Sequence, residues 1–243
     1  MANGIRPTKF SEIIGQTDVL NRLSVCVTGC KSSGGVMPHV LIDGPPGLGK
    51  TTIASAIASE MDTNLYTTNA ANLRSIKNIL PYLMGMDQGA VLFIDEIHRL
   101  PKIVEEFLYP VMEDFKLHIV VEGVVEDIDI PVFTMVGATT NGGRLSQPFY
   151  DRFAIKEHLS FYTDDELAKL AGSNCEKLGI VIDESDLLQI AQRSKGTPRI
   201  LNARLQWYKN YKVCNPNAKS VDDIFSVQGI DKHGLDVYDR MYL

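Results

Sequence analysis

The chain lacks the sequence features of exported and membrane proteins. Its first residues, MANGIRPTKF, hold no apolar run of the kind that a signal peptide needs. No stretch approaches the roughly 20 consecutive apolar residues that cross a bilayer. There is also no internal repeat and no low-complexity segment. From these absences we expect a soluble, cytoplasmic protein without a membrane partner.

Cysteine is scarce as well. The 243 residues include four cysteines, of which only Cys26 and Cys30 are close in sequence. Their spacing is one helical turn, and no histidine or further cysteine stands near enough to complete a metal site. We therefore predict free, buried thiols at all four positions, Cys26, Cys30, Cys175 and Cys214.

Positive charge is not in excess. The chain has 24 lysines and arginines against 30 aspartates and glutamates, which gives a formal net charge of −6. Nucleic acids attract proteins largely through their phosphates, so the chain as a whole has no electrostatic attraction to DNA. A local basic face could still suffice. Composition therefore neither supports nor excludes DNA binding.

Short apolar runs alternate with helical patterns up to about residue 160. Runs such as AVLFI have no polar alternation, which is typical of parallel strands covered on both faces. TIASAIASEM, Thr52–Met61, has helical spacing. We predict a three-layer αβα domain with a central parallel sheet over residues 1–160. The candidate strands are His39–Asp43, Asn64–Thr68, Ala90–Asp95 and Val132–Thr140.

The strand signals stop beyond Phe161. TDDELAKLAGSNCEKLG begins with Thr163 followed by Glu166, which is the pattern of a capping box. Two further helical patterns follow, with Gly179 and Gly196 as stop signals. We predict a small all-α domain over residues 161–228 and leave the tail, 229–243, unassigned.

The stretch GPPGLGKT lies between a predicted strand and a predicted helix and matches G-x-x-x-x-G-K-[ST]. Its glycines allow backbone N–H groups to face phosphates, and the helix N-terminus adds a positive dipole end. Lys50 would reach the β- and γ-phosphates, and Thr51 would ligate Mg²⁺. A glycine-rich turn that binds nothing is disfavoured by this context. The predicted nucleotide-binding residues are Gly44, Pro45, Pro46, Gly47, Leu48, Gly49, Lys50, Thr51 and Thr52.

Two further strands end in polar side chains. VLFIDEIH ends in Asp95, a candidate Mg²⁺ ligand, and Glu96, which could orient or deprotonate an attacking water. An acidic pair alone would more often cap a helix, but the preceding phosphate loop favours catalysis. GATTN offers Thr140 or Asn141 to hold the water in line. A strand end capped by hydroxyls is the alternative for this second motif.

Two arginines have no obvious structural need. Arg152 in YDRFA follows Pro148, and Arg199 in KGTPRI follows Gly196 and Pro198. An isolated arginine is usually a solvated surface residue. A fixed guanidinium, however, suits the stabilisation of charge on a transferring phosphoryl group. We therefore take both arginines as candidates for that role.

The order of GPPGLGKT, DEIH, GATT, DRF and GTPR resembles that of AAA+ ATPases, and nearly the whole chain is similar to the RuvB family. VEEFLYPVMEDF is specific to the RuvB group. The resemblance implies an ATPase that uses ATP and Mg²⁺ to drive branch migration of Holliday junctions in recombination and repair. It also implies DNA, as junction or duplex, and RuvA as partners.

The resemblance assigns residues to an adenine pocket. Arg6, Pro7, Ile14 and Gly15 would line it, and Tyr162 would close it from the other side. These roles are implied by the family pattern and not by residue spacing.

The resemblance also implies three residues that sense the phosphates. Thr140 matches sensor 1, and Arg199 matches sensor 2, which contacts the γ-phosphate in its own subunit. Arg152 matches the arginine finger, which reaches the ATP of the neighbouring subunit. A shared site of this kind implies a homo-oligomeric ring, hexameric if it follows the family.

The chain also departs from the family pattern. It stops at Leu243, near where the family's DNA-gripping winged helix would begin. Segment 119–133, the hairpin that docks RuvA in the family, is shorter and has no basic residue. The acidic residues of this segment are Glu122, Glu126, Asp127 and Asp129. Three residues outside it also differ from the family pattern, namely Asn141, Tyr150 and Ala154.

These departures keep two alternatives open. One is a clamp-loader-like or adaptor-like ATPase that acts on a protein partner, with indirect DNA contact. The other is a nucleotide-gated assembly switch, against which Glu96 argues, because a pure switch has no use for a water-activating carboxylate. RILNARLQWYKNYK could stack aromatic side chains on bases, although a half-packed lid helix is the simpler explanation.

Overall fold

The computed structural model describes residues 6–121, 124–216 and 220–242. Within these ranges, no helix is both long and apolar enough to span a bilayer. The predicted acid Glu122 and the chain end at Leu243 lie outside the described residues.

A five-stranded parallel sheet forms the centre of the first domain, in the strand order β2-β3-β6-β1-β7. Every residue of β6 is buried, as expected for a central strand whose two faces are covered. The carboxyl ends of all five strands meet at one edge. The strands are β1 (Val40–Asp43), β2 (Leu65–Asn69), β3 (Val91–Asp95), β6 (Thr134–Thr139) and β7 (Ile155–His158).

The four predicted strands are confirmed, with ends that differ by one or two residues. The edge strand β7, Ile-Lys-Glu-His, was not predicted because its composition is mostly polar. Glu157 of this strand is nevertheless buried and forms an ion pair with Arg22. Arg22 and Glu157 are 135 residues apart, so no local sequence pattern predicts this ion pair.

Helices cover both faces of the sheet, which confirms the three-layer fold. Alternate residues of β1 point to opposite sides, with Val40 and Ile42 in one apolar cluster and Leu41 in the other. The first cluster contains α1 and α2, and the second contains α3, α4 and α5. These helices are α1 (Thr17–Ser33), α2 (Lys50–Glu60), α3 (Ile76–Gly85), α4 (Lys102–Asp114) and α5 (Gln147–Asp151).

A two-stranded antiparallel hairpin projects from the first domain between α4 and β6. It consists of β4 (Lys116–Val121) and β5 (Val124–Asp129). Leu117 is fully buried at its base, whereas Asp127 and Asp129 are exposed. His118 contacts Asp127, and Lys116 lies 3.7 Å from Asp129. The described part of the hairpin therefore exposes three carboxylates, of which Asp127 and Asp129 contact basic residues of β4 and Glu126 forms no ion pair with any described residue.

The second part of the chain is helical, as predicted. The capping box of α6 is present, with the Thr163 hydroxyl accepting the Glu166 N–H and the Glu166 carboxylate accepting the Thr163 N–H. The unassigned tail packs back on this domain, because Lys195 pairs with Asp239. The helices are α6 (Asp164–Leu178), α7 (Glu184–Gln192), α8 (Pro198–Cys214), α9 (Val221–Ser226) and α10 (Val237–Met241).

The aromatic residues of α8 pack inside the helical domain. Trp207 donates its indole N–H to the Ile224 carbonyl at 3.0 Å, and Tyr208 is buried with its hydroxyl donating to Asp186. These contacts favour the packed lid helix over a base-stacking surface.

The cysteine prediction was partly wrong. Cys26 and Cys30 lie one turn apart on α1, as predicted, and all four thiols are free. Only Cys175 is buried, however, and burial raises its thiol pKa. Cys26 and Cys30 are half-buried, and Cys214, at the C-terminal end of α8, is exposed. The exposure of Cys214 follows from its position at the end of the helix, which the residue type alone does not indicate.

Candidate functional site

The phosphate loop turns sharply from β1 into α2. Gly47 and Gly49 have φ values of 84° and 104°, in the left-handed region that glycine adopts without strain. The Lys50 ammonium lies under the loop and donates to the Gly44 carbonyl at 2.6 Å and the Pro45 carbonyl at 2.9 Å. Lys50 is only 7% exposed. Burial lowers the pKa of Lys50, whereas the nearby Glu96 and Asp95 raise it.

A cavity of about 420 Å³ lies between the loop and the helical domain. Its volume falls within the range of cavities that bind small molecules and cofactors. Fifteen of the predicted residues line it, from both domains: Arg6, Pro7, Ile14, Pro46, Gly47, Leu48, Gly49, Lys50, Thr51, Thr52, Asp95, Glu96, Thr140, Tyr162 and Arg199. The predicted residues that are not part of the lining are Gly15, Gly44, Pro45 and Arg152.

The helical domain contributes lining residues that the sequence did not single out. Leu170, Asn174 and Leu178 recur every fourth position along one face of α6, and Asn202 and Gln206 lie four apart on α8. Asn174 is buried and donates from Nδ2 to the side-chain Oδ1 of Asn202 at 2.7 Å. Such spacing is also that of an ordinary packing face, so periodicity alone could not distinguish cavity lining from core.

Gly15 supports this cavity from behind. Its φ is 80°, and a Cβ atom there would lie 2.5 Å from Cε1 of Tyr162. Tyr162 is buried, which raises its pKa to about 12, and its hydroxyl points to the Leu48 carbonyl at 3.4 Å. The N-terminal segment, the phosphate loop and the start of the helical domain therefore meet at this tyrosine.

The two carboxylates lie at the carboxyl end of β3. Asp95 accepts the Glu96 N–H at 3.0 Å, and Glu96 itself has a left-handed backbone with φ of 51°. The Thr140 hydroxyl donates to Glu96 Oε2 at 3.1 Å. Asn141 instead donates its backbone N–H to Thr139. Of the two candidates in GATTN, Thr140 is therefore the one in contact with the predicted water-activating carboxylate.

The helical domain touches the phosphate loop directly. The Arg199 N–H donates to the Gly47 carbonyl at 3.3 Å. A Cβ atom on Gly47 would lie 2.8 Å from Thr197 Cγ2 and 2.9 Å from Arg199 Cβ. This close approach requires glycine at position 47.

Gly47→Ala is expected to weaken nucleotide binding at least about tenfold, because a left-handed alanine costs about 1–3 kcal/mol and its methyl group displaces Thr197 and Arg199. Titration with a fluorescent ATP analogue measures the effect. Gly85→Ala is the matched control, since that glycine ends α3 and an added methyl group would meet no atom within 4 Å. Equal affinities for the two variants would contradict the steric argument.

Arg152 lies on another surface of the same chain. Nη1 donates to the Pro148 carbonyl at 2.6 Å, and Nη2 lies 3.1 Å from Glu113. The guanidinium carbon stands 4.1 Å from the centre of the Tyr109 ring on α4, and the side chain is 19% exposed. Arg152 is thus held against α4 of its own chain and does not line the cavity of that chain.

Comparison with known proteins places both domains. The family model described as "Holliday junction DNA helicase RuvB P-loop domain" matches residues 5–159, and the model described as "RuvB AAA lid domain" matches residues 162–236. The predicted boundaries of the domains remain predictions.

Curated relatives and solved structures are similar over almost the whole chain. The RuvB subunit of the Holliday junction branch migration complex from Rhodopirellula baltica is 44% identical over 98% of this chain and 68% of its own length. The corresponding subunit from Staphylococcus aureus (strain JH9) is 39% identical over 97% of this chain and 73% of its own. The Thermotoga maritima RuvB branch migration motor superposes with a TM-score of 0.89 at 40% identity, over 98% of this chain and 78% of that one.

Proposed function

This chain belongs to the RuvB family, and from that membership we propose that it hydrolyses ATP in an oligomeric ring and uses the energy to move Holliday junctions. The observation that carries the proposal is the cavity, which brings the phosphate loop, two carboxylates, Thr140 and Arg199 together while Arg152 lies elsewhere. Among the described residues, one chain thus supplies most of the groups predicted to bind the nucleotide, whereas Arg152 lies outside this cavity.

The cavity residues divide the work of holding the nucleotide. Lys50 and the N-terminus of α2 bind the phosphates. The apolar and amide side chains of α6 and α8 enclose the base together with Arg6, Pro7, Ile14 and Tyr162. Thr51 and Asp95 offer a hydroxyl and a carboxylate, which are the oxygen ligands that Mg²⁺ prefers. When bound there, Mg²⁺ would neutralise charge on the β- and γ-phosphates.

Glu96 prepares the water for hydrolysis. Thr140 occupies Oε2 of its carboxylate, and Oε1 accepts no hydrogen bond from the described residues. Oε1 is thus the oxygen available to accept a proton as the water attacks the γ-phosphorus and the bond to the β-γ bridging oxygen breaks. Arg199 contacts the same phosphate from the lid, and ADP and phosphate are the products.

Arg152 acts on the nucleotide of the neighbouring subunit. Arg152 directly follows α5 and packs against Tyr109 and Glu113 of α4, outside the cavity of its own chain. This location supports the assignment, because the guanidinium is not available to the nucleotide of the same chain. Sites of this type are formed between subunits, and a closed ring completes every one of them. We assign a hexamer by family membership.

DNA should stimulate this activity. We expect ATP turnover to rise when a four-way junction or duplex is added, and the rise to shrink between about 50 mM and 200 mM salt, because phosphate contacts release counterions. Turnover and binding are measured with junction, duplex and single-stranded DNA at both salt concentrations. Single-stranded DNA serves as the control for unspecific attraction.

One observation favours a second candidate function. The described hairpin presents Asp127 and Asp129 to solvent, and the chain carries a net charge of −6, so a direct grip on phosphates through this surface is unfavourable. An adaptor-type ATPase would use the hairpin for a protein partner, as expected for a member of a complex. Absence of DNA binding and of stimulation at the lower salt concentration would overturn the DNA motor and support this alternative.

A further inference from the structure

The turn that carries Glu96 is attached to β6 at several points. After Glu96 the chain forms a single 3-10 turn, Ile97–Arg99. Ile97 is fully buried and fits against Gly137 of β6, where a Cβ atom would lie 2.7 Å from Ile97 Cδ1. The next residue, His98, reaches the end of the same strand. The position of Glu96 is therefore set from β6 and not by its own turn alone.

His98 touches both Thr139 and Glu96. Its Nδ1 lies 2.8 Å from the Thr139 hydroxyl and 3.4 Å from Glu96 Oε2. The His98 side chain is 8% exposed, and the Glu96 side chain is 28% exposed. Thr139 is completely buried, and its hydroxyl also accepts the Asn141 N–H at 2.9 Å. The imidazole thus bridges a rigid strand end and a partly solvated carboxylate.

The surroundings of Nδ1 decide which form of the ring fits. Glu96 Oε2 already accepts the Thr140 hydroxyl, and one lone pair of the Thr139 hydroxyl accepts the Asn141 N–H. An Nδ1 without hydrogen is an acceptor and would repel the carboxylate oxygen. An Nδ1–H can instead donate to the Thr139 hydroxyl and also attract Glu96 Oε2. The contacts therefore favour the tautomer with its hydrogen on Nδ1.

We propose that His98 is a positioning residue for hydrolysis, which acts through Glu96 and rests on the proposed function. Its Nδ1–H and the Thr140 hydroxyl hold the same carboxylate oxygen, Oε2, from two sides. Oε1 is then directed to the water, and the left-handed backbone of Glu96 is kept in place. Small displacements of a catalytic base reduce the rate steeply, so the contribution falls on turnover and not on nucleotide affinity.

Three substitutions separate positioning from simple packing. Asparagine places an amide nitrogen two bonds beyond Cβ, where Nδ1 of histidine lies, whereas glutamine places its nitrogen one bond further out. We expect His98→Ala to lower kcat about 10–100-fold with KM for ATP unchanged. His98→Asn should recover most of that loss, and His98→Gln should not. The assay is steady-state ATP turnover of the full chain, with analogue binding and thermal unfolding measured for each variant.

A double substitution tests whether His98 acts through the carboxylate. In a Glu96→Gln background, His98→Ala should cause no further loss, because the group it positions is no longer a base. Four outcomes would each overturn this role while leaving the proposed function intact. They are an unchanged kcat in His98→Ala, equal losses in all three variants, a loss confined to KM, and full additivity with Glu96→Gln. A wild-type chain without any ATP turnover would overturn both.

Discussion

Lys50→Ala is expected to lower ATP turnover by about a thousandfold or more, which is the largest effect of any single substitution in the phosphate loop. The ammonium is nearly buried at the start of α2 and is the one cation of the loop that can reach the β- and γ-phosphates. Its removal takes away a positioned charge where negative charge shifts during transfer. Turnover at saturating ATP measures the loss.

Arg152→Ala should abolish turnover to a similar degree for a different reason, and the two variants should therefore complement each other. In a mixed ring, the intact loop of an Arg152→Ala subunit can lie beside the intact arginine of a Lys50→Ala subunit. We expect partial activity after the two inactive proteins are mixed. Arg74→Ala, at an exposed arginine far from the cavity, is the control and should retain activity.

The doubly substituted chain provides the decisive comparison. Mixed with either single variant, it can form no pair of an intact loop and an intact finger, so no activity should return. Recovery of ATP turnover in that mixture would indicate contamination of the preparations with wild-type subunits. Absence of recovery in the mixture of single variants, with both proteins folded and assembled, would contradict the shared site.

The phosphate loop and the strand ends could be predicted from the sequence because their signals are local. GPPGLGKT has fixed spacing between a strand and a helix, and VLFIDEIH joins its carboxylates to an apolar run. Parallel strands bring their carboxyl ends to one edge, so Asp95 and Thr140 were expected at the same edge of the sheet. The structure adds that their strands, β3 and β6, are neighbours. Arg199 lines the cavity, and its contact with the γ-phosphate stays a prediction.

Other features depend on contacts between distant segments. Strand β7 is held by the Arg22–Glu157 pair, which no short window contains. His98 lies two residues after Glu96 in the sequence. Its proposed role, however, depends on contact with Thr139, which is 41 residues from His98 along the chain. Arg152 was predicted as a finger, but its ring contact with Tyr109 and its pairing with Glu113 emerged only from the packing of α5 on α4. Such pairings follow from the fold and not from residue type.

The hairpin illustrates a third case, in which composition gave the chemistry but not the location. Its acidic character was evident from the sequence, and the structure adds that Asp127 and Asp129 face solvent on a two-stranded sheet separate from the central one. Leu117 anchors the hairpin in the second apolar cluster. The surface is thus presented by a fixed base, which suits a docking element better than a loop.

Glu96→Gln is expected to separate binding from hydrolysis. The glutamine carbonyl can still accept the Thr140 hydroxyl, and the side chain keeps its volume, so the cavity and the affinity for ATP should be retained. Glutamine cannot take a proton from the water, and we expect turnover to fall about 10²–10⁴-fold. Single-turnover hydrolysis and analogue binding, measured on the same preparation, check the two halves of the prediction.

The matched control for this substitution is Glu106→Gln on the exposed face of α4, which removes the same charge from a surface pair with Lys102. That change should leave turnover within about twofold, because exposed pairs contribute little. Loss of nucleotide binding in Glu96→Gln would mean that the carboxylate organises the cavity and not the water. Retained turnover would mean that another group accepts the proton. Tight ATP binding without phosphate release would instead indicate that the helical domain stays closed on the loop, with the Arg199–Gly47 hydrogen bond as one of the contacts between the two domains.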